Sequence, residues 1–218
     1  MAVLFVVAIA TSCVGCSGHG TGPELYVPMP DADLGDAATG IDGMPYPSSN
    51  IGGQPRTDAH AGQIFPDLTL EGVRSVATLN TPEMISTAEF YDPRGLRYDL
   101  LHVMGIFMWC PHCNNETAAL SQIAAWQSAH RVAVVQIAME GYDGGAPSWS
   151  DVQQWVSTYN LQFPVLVDGQ GAQLGQYFPV GSVPVNIVVN PRNMEILSVD
   201  IGEVGSVQTY EQGFLDHP

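Results

Sequence analysis

The chain has 218 residues and is 45% hydrophobic, so it can bury a core and suits one domain with additions. It carries 22 acidic residues against six arginines and no lysine, for a formal charge of −16. This balance excludes nucleic-acid binding and adhesion to anionic lipid through a basic patch, since both need clustered positive charge. The absence of lysine also excludes a lysine Schiff base and a P-loop lysine.

Residues 1–16 have the composition of an export leader. The run from Ala2 to Ala10 is apolar, has the length of a signal-peptide core, and is too short to span a bilayer. The small residues up to Cys16 resemble a bacterial lipoprotein signal in which Cys16 is lipidated. Lipidation of Cys13, a cleaved secretory signal and an uncleaved signal anchor are the alternatives. All of them predict an extracytoplasmic location, in a periplasm or at a cell surface, with any membrane attachment confined to the leader.

Residues 17–62 differ in composition from the rest of the chain. They are rich in Gly, Pro and Asp and carry few large apolar residues. Such a segment cannot bury enough apolar surface to offset the entropy of ordering. It predicts a disordered linker between the leader and a folded domain over residues 63–218.

The folded part alternates buried strands with helices. Apolar runs of strand length and amphipathic segments of helix length follow one another. The order predicts a single α/β domain in which parallel strands with crossover helices come first and an antiparallel hairpin comes last. The predicted strands cover residues 99–109, 131–139, 163–167, 185–190 and 195–201, and the predicted helices cover 110–130, 151–159 (capped by Ser150 or Asp151), 172–178 and 206–216.

A C-x-x-C motif lies where the first of these strands ends and a helix begins, at Cys110 and Cys113. The first helical turn has unpaired N–H groups and a partial positive charge, which stabilise a thiolate. Cys113 lies one turn further on, where it can attack a mixed disulfide on Cys110. The motif predicts Cys110 as nucleophile and Cys113 as resolving cysteine. A redox-active disulfide between them would act without a cofactor or metal.

Two polar residues extend the motif. His112, when protonated, adds positive charge beside Cys110 and favours the thiolate. Glu116 follows Cys113 by three positions and shares its helix face, so it can accept the proton of a buried thiol. The alternatives are a solvated helix position for Glu116 and simple exposure for His112.

These residues resemble the thioredoxin-fold oxidoreductases, in particular the membrane-tethered TlpA/ResA-like redoxins. The resemblance covers about Gln63 to Asp216 and includes the W-C-x-x-C motif and Glu116. It also includes the F-P-V-L-V-D run that begins at Phe163 and the Val-Pro pair that precedes the strand at residue 185.

The resemblance implies a thioredoxin-like fold with a central mixed sheet flanked by helices. It implies protein thiols and disulfides as substrates and a second redox protein as partner. It also implies a cis peptide bond before the proline of the Val-Pro pair. Four residues bordering the cysteines would contact substrate: Trp109, Pro111, Val183 and Pro184.

Other functions stay open at this point. The Pro-His pair between the cysteines is that of the oxidant DsbA, so the direction of exchange is open. A thiol peroxidase is an alternative, although the P-x-x-x-[ST]-x-x-C pattern fails at Val103 and Phe107. A thioredoxin-like copper chaperone is the other, with His102 or His130 as a further ligand, although His102 lies in a buried strand.

Overall fold

The structure is a computed structural model that describes residues 39–47 and 59–216. Cys16 and the rest of the predicted leader lie outside the described residues, as does most of the predicted linker. The division into leader, linker and domain therefore stays a prediction.

The described residues contain a seven-stranded mixed sheet with the order β2-β1-β5-β4-β3-β6-β7. Strands β3, β4 and β5 are parallel, and β6 and β7 form an antiparallel hairpin beside β3. This confirms the predicted α/β fold with a central mixed sheet. The strands are β1 Thr69–Val73, β2 Glu83–Ser86, β3 Leu100–Phe107, β4 Val132–Glu140, β5 Val165–Val167, β6 Val185–Asn190 and β7 Glu195–Ile201.

Four α-helices accompany the sheet within the described residues: α1 Pro111–Gln122, α2 Ala124–Ala129, α3 Trp149–Tyr159 and α4 Val207–Leu215. Short 3₁₀ turns cover Val76–Thr78, Thr87–Phe90, Gly169–Gly171 and Leu174–Gln176. No helix in the described ranges is long and apolar enough to cross a membrane.

Strand alternation divides the core between the two faces of the sheet. In β3, Leu101 and Val103 join a core with Phe65 and Phe178, whereas Met104 and Ile106 face the opposite way. The second face packs against helices. Its core includes Leu120 of α1, Val152 and Trp155 of α3, and Val207 of α4. The cysteine pair belongs to this helical face.

Strands β1 and β2 are absent from the sequence prediction. They form an antiparallel pair, and β1 also pairs with β5. Gly72 lies inside β1, where a Cβ would come within 2.4 Å of the Val165 carbonyl oxygen. The pairing thus requires glycine at a position where glycine usually argues against a strand.

The predicted helix over residues 110–130 is two helices, so that prediction was wrong in its length. At Ile123 the backbone has φ −101° and ψ 9°, outside the helical region. Neither proline nor glycine stands there to signal the break. The helix α2 that follows buries Gln127, which is 2% exposed.

The predicted cap of α3 was also wrong. Ser148, rather than Ser150 or Asp151, is the cap. Its hydroxyl accepts from the Asp151 backbone at 3.2 Å, and the Asp151 carboxylate accepts from the Ser148 backbone at 2.8 Å. This reciprocal capping box satisfies N–H groups at the helix start.

The predicted helix over residues 172–178 was wrong: one 3₁₀ turn, Leu174–Gln176, lies in that range, and another, Gly169–Gly171, precedes it. The buried Asp168 carboxylate accepts from the backbone of Gln173 at 2.9 Å and from that of Leu174 at 2.8 Å. Backbone donors that bond a side chain favour turns over a continuous α-helix.

Part of the predicted linker contacts the domain. The Tyr46 hydroxyl donates to the Phe65 carbonyl at 2.6 Å, and the Ile41 backbone donates to that of Tyr91 at 3.0 Å. Ala59 is buried, and its N–H donates to the Tyr177 carbonyl. These residues extend the packed domain to positions before Gln63.

Candidate active site

The cysteine motif forms the junction between β3 and α1. Cys110 is the N-cap of α1 with extended backbone angles, and Pro111 occupies the first helical position. Proline fits there because its missing N–H would have no partner within the helix. The Asn114 N–H donates to the Cys110 carbonyl at 3.0 Å and begins the helical ladder. The helix start predicted from the sequence is therefore confirmed.

Both cysteines are free thiols in this structure. Cys110 is 6% exposed and Cys113 is fully buried. The Cys110 thiol donates to the Val183 carbonyl at 3.8 Å, and the Val183–Pro184 peptide bond is cis. The structure thus brings together segments 73 residues apart and places the predicted substrate-binding pair directly against the predicted nucleophile.

Glu116 lies behind the cysteines and is 1% exposed, which rules out a solvated helix position. Burial raises the pKa of Glu116 to about 7, although the charge of His102 and polar groups of Asn186 and Val204 oppose the shift. Among the described residues, neither carboxylate oxygen has a partner in full hydrogen-bonding geometry. Glu116 can therefore exchange a proton near neutral pH.

Burial also raises the pKa of the Cys113 thiol, and the nearby Cys110 and Glu116 raise it further. A thiol in such a site needs a base to remove its proton before it can attack. Glu116 acts electrostatically on this thiol, and its role as the proton acceptor stays a prediction.

Three predicted residues lie at the exposed rim of the site. The side chain of His112 is 67% exposed, and its Nδ1 lies 3.0 Å from a Glu203 carboxylate oxygen. Trp109 is 50% exposed, stacks on Phe107, and donates from Nε1 to Glu140 at 2.6 Å. Trp109 and the exposed Pro111 flank Cys110, as contact with an incoming substrate would require.

Asn114 holds the active-site turn, a role that the sequence did not reveal. Its side-chain amide donates to the Met108 carbonyl at 3.1 Å and to the Cys110 carbonyl at 2.6 Å. Its oxygen accepts from the Tyr159 hydroxyl at 2.6 Å, which connects the turn to α3. The position after the second cysteine is the only sequence signal for this role.

A buried polar cluster lies on the helical face of the sheet, and the sequence did not predict it either. It consists of His102 on β3, Asn186 on β6, Gln127 on α2 and Glu211 on α4, each at most 2% exposed. The sequence predicts His102 as a core residue or a copper ligand, and neither interpretation includes these partners. Sequence separations of 84 and 109 residues explain why no local pattern shows these contacts.

The described ranges contain no group of three or more His, Cys, Asp or Glu residues arranged to hold a metal ion. Both ring nitrogens of His102 are engaged within the cluster. His130 bonds through Nδ1 to the Trp126 carbonyl at the end of α2.

Comparison with known proteins identifies the family. Residues 61–196, more than half of the chain, match the AhpC/TSA family, and the chain belongs to it. The fold and this membership define a thioredoxin-like oxidoreductase. A segment of 69 residues is 44% identical to the soluble secreted antigen MPT53 of Mycobacterium tuberculosis. That match covers 32% of this chain and 35% of the relative, so it spans about a third of the relative's length.

Solved structures share the fold. A protein assigned as the thiol:disulfide interchange protein DsbE from Chlorobium tepidum aligns with a TM-score of 0.56 and 18% identity, over 73% of this chain and 98% of that one. The reduced 2-Cys peroxiredoxin of Plasmodium vivax aligns with a TM-score of 0.53 and 12% identity, over 72% and 94% of the two chains. At these identities the likeness concerns the fold alone.

Proposed function

We propose that this protein exchanges disulfides with extracytoplasmic protein substrates through Cys110 and Cys113. The observation that carries the proposal is the position of the Cys110 thiol, at the start of α1 and against the carbonyl that precedes cis Pro184. The buried Cys113 and Glu116 behind it supply a second thiol and a proton acceptor. An export leader in residues 1–16 agrees with the word secreted in the name of the relative, whereas lipidation of Cys16 rests on the leader sequence alone.

The reaction in the reducing direction has two exchange steps. The Cys110 thiolate attacks one sulfur of a substrate disulfide, the substrate S–S bond breaks, and one substrate thiolate leaves. Glu116 then takes the proton of Cys113, and the Cys113 thiolate attacks the Cys110 sulfur of the mixed disulfide. The second substrate thiolate leaves, so the substrate gains two electrons and the Cys110–Cys113 disulfide forms. A separate redox protein returns the pair to the dithiol, and oxidation of substrates is the same sequence reversed.

Substrate would bind around the rim described above. Trp109 and Pro111 offer exposed apolar surface beside Cys110, while the Val183 carbonyl, which precedes cis Pro184, accepts from its thiol. His112 would contribute positive charge near Cys110, although its contact with Glu203 offsets part of that charge.

Turnover of a peptide with one disulfide tests the proposal. We expect Cys110→Ala to abolish exchange and Cys113→Ala to accumulate a mixed disulfide visible as a mass increase. Ser121→Ala on the same helix is the control and should retain activity. Full activity of Cys110→Ala would overturn the proposal. The reduction potential sets the direction, since about −270 mV indicates a reductant and about −120 mV an oxidant.

A thiol peroxidase is the second candidate, because the family match and the peroxiredoxin fold favour it. Phe107 and Val103 stand where the peroxidase pattern needs Ser or Thr and Pro before Cys110. Peroxide consumption that Cys110→Ser abolishes, together with failure to exchange peptide disulfides, would favour the peroxidase.

A further inference from the structure

The hydrogen bonds of His102 determine its protonation state. Its Nδ1 lies 2.9 Å from a Glu211 carboxylate oxygen and its Nε2 lies 2.9 Å from the Asn186 side-chain oxygen. The orientation of Asn186 is fixed because its amide nitrogen donates to the Gly202 carbonyl at 3.1 Å. Both ring nitrogens thus face acceptors, and a neutral imidazole has only one N–H. His102 is therefore an imidazolium.

Glu211 is the ionised partner of this cation. Its two oxygens accept from the Gln127 amide at 2.9 and 3.1 Å, and one of them also accepts from His102. In each of these contacts the Glu211 carboxylate accepts a hydrogen bond, and none of them requires a proton on Glu211. Although burial lowers the pKa of His102, the bond to Glu211 and its charge raise that pKa above its usual value.

The imidazolium also acts on Glu116. Its charge is the largest influence that lowers the pKa of Glu116 against burial, and the Asn186 amide acts in the same direction. Asn186 therefore connects the two buried groups. The positive charge of His102 therefore acts on Glu116, the carboxylate proposed to accept the Cys113 proton. The two exchange steps proposed above assign no role to His102.

Several packed elements contribute titratable groups to this environment. The charge of His102 on β3 lowers the pKa of Glu116, and Glu203 in the loop after β7 raises it. Glu116 in turn raises the pKa of Cys113 on its own helix and of Tyr210 on α4. Tyr210 also packs its ring 5.8 Å from that of His102 and donates to Asp200. Of these groups, only His102 brings a positive charge.

We propose that His102 is a positioning residue for disulfide exchange: a buried imidazolium, held by Glu211 and Asn186, that keeps Glu116 ionised so that it can accept the proton of Cys113. The inference rests on the proposed function of the cysteine pair. No bond to His102 forms or breaks. Its proton stays in place while the Cys113 proton moves to Glu116.

Two NMR measurements test the charge states without turnover. In protein with ¹⁵N-labelled histidine, both ring nitrogens of His102 should carry protons at neutral pH. In protein with ¹³C-labelled carboxyl groups, His102→Gln should raise the titration midpoint of Glu116 by about one pH unit or more, since a nearby opposite charge shifts a pKa by about that amount. A neutral His102 tautomer, or an unchanged Glu116 midpoint in His102→Gln, would overturn the proposal.

Two further variants control this experiment. Glu211→Gln keeps the shape of the cluster but removes the negative charge that raises the pKa of His102 against burial. His102 should then become neutral, and the loss of its positive charge should move the Glu116 midpoint in the same direction as His102→Gln. Glu211→Gln also provides the test if His102→Gln does not fold. His130→Gln removes the exposed histidine that follows α2 and should leave the midpoint unchanged. A midpoint in Glu211→Gln equal to that of wild type would count against the inference.

The kinetic readout is the release of substrate from the mixed disulfide. A midpoint moved from about 7 to about 8 lowers the ionised fraction of Glu116 at neutral pH about fivefold, and the Cys113 step should slow by the same factor and recover at higher pH. Equal pH profiles for His102→Gln and wild type would contradict the proposal. Failure of the proposed function is a separate result, because wild-type protein would then exchange no disulfide.

Discussion

The buried Glu116 carboxylate should lower stability at neutral and alkaline pH, and Glu116→Gln should remove this effect. Burial raises the pKa of Glu116 from its ordinary 4.5 to about 7. Each pKa unit corresponds to about 1.4 kcal/mol, so the ionised carboxylate costs about 3 kcal/mol of the free energy of unfolding. Single substitutions seldom stabilise a protein this much, so the effect should be easy to detect.

The sign follows from proton linkage. Between pH 4.5 and about 7 the folded protein retains a proton on Glu116 that the unfolded chain has lost. The free energy of unfolding therefore falls as the pH rises through this window, and the loss is complete above about pH 7. Glu116→Gln has no such proton, so its advantage over wild type should be near zero at low pH and about 3 kcal/mol at high pH.

Urea unfolding at about pH 4 and about pH 8 measures this difference through the midpoint and slope of each transition. Glu71→Gln is the matched control, because Glu71 is an exposed acid on β1, and it should behave like wild type at both pH values. If Glu116→Gln differs from wild type by the same amount at both pH values, the argument from burial is wrong.

The same variant should slow release of the mixed disulfide, since it lacks the proton acceptor for Cys113. A residue that lowers stability and supports turnover is expected at a catalytic site.

Four further substitutions test the packing and the rim of the site. Trp155→Ala should lower the free energy of unfolding by about 3–5 kcal/mol in urea, because this indole is fully buried and donates to Gln136 at 3.0 Å. Ser148→Ala should cost about 1 kcal/mol by the same assay, whereas Ser150→Ala should cost less than about 0.5 kcal/mol, because Ser148 caps α3. Equal losses for the two serines would contradict the capping assignment. Trp109→Ala should raise KM for a disulfide substrate and lower the free energy of unfolding by about 1–2 kcal/mol, less than Trp155→Ala, because only half of the ring is buried against Phe107. An unchanged KM would remove Trp109 from the proposed binding surface.

The sequence by itself determined the central strands and the position of the cysteine pair. Buried strands and the helix that begins at Pro111 carry strong local signals, namely apolar runs and a proline at the first helical position. The match to Val183 and Pro184 came from family resemblance and was confirmed as a cis peptide bond. These features depend on residues close together in the chain, which is why a sequence pattern can show them.

Tertiary structure alone decided what surrounds the cysteines. Strands β1 and β2 form because β5 offers an edge to pair with, and Gly72 permits the close approach. Burial of Glu116 depends on the packing of α1. Without that packing, the sequence cannot distinguish a buried proton acceptor from a solvated acid at this position. The pairing of His102 with Glu211 joins residues 109 positions apart. The electrostatic environment of a residue depends on its distances in space to other charges. A sequence pattern indicates those distances only for residues that are close together in the chain.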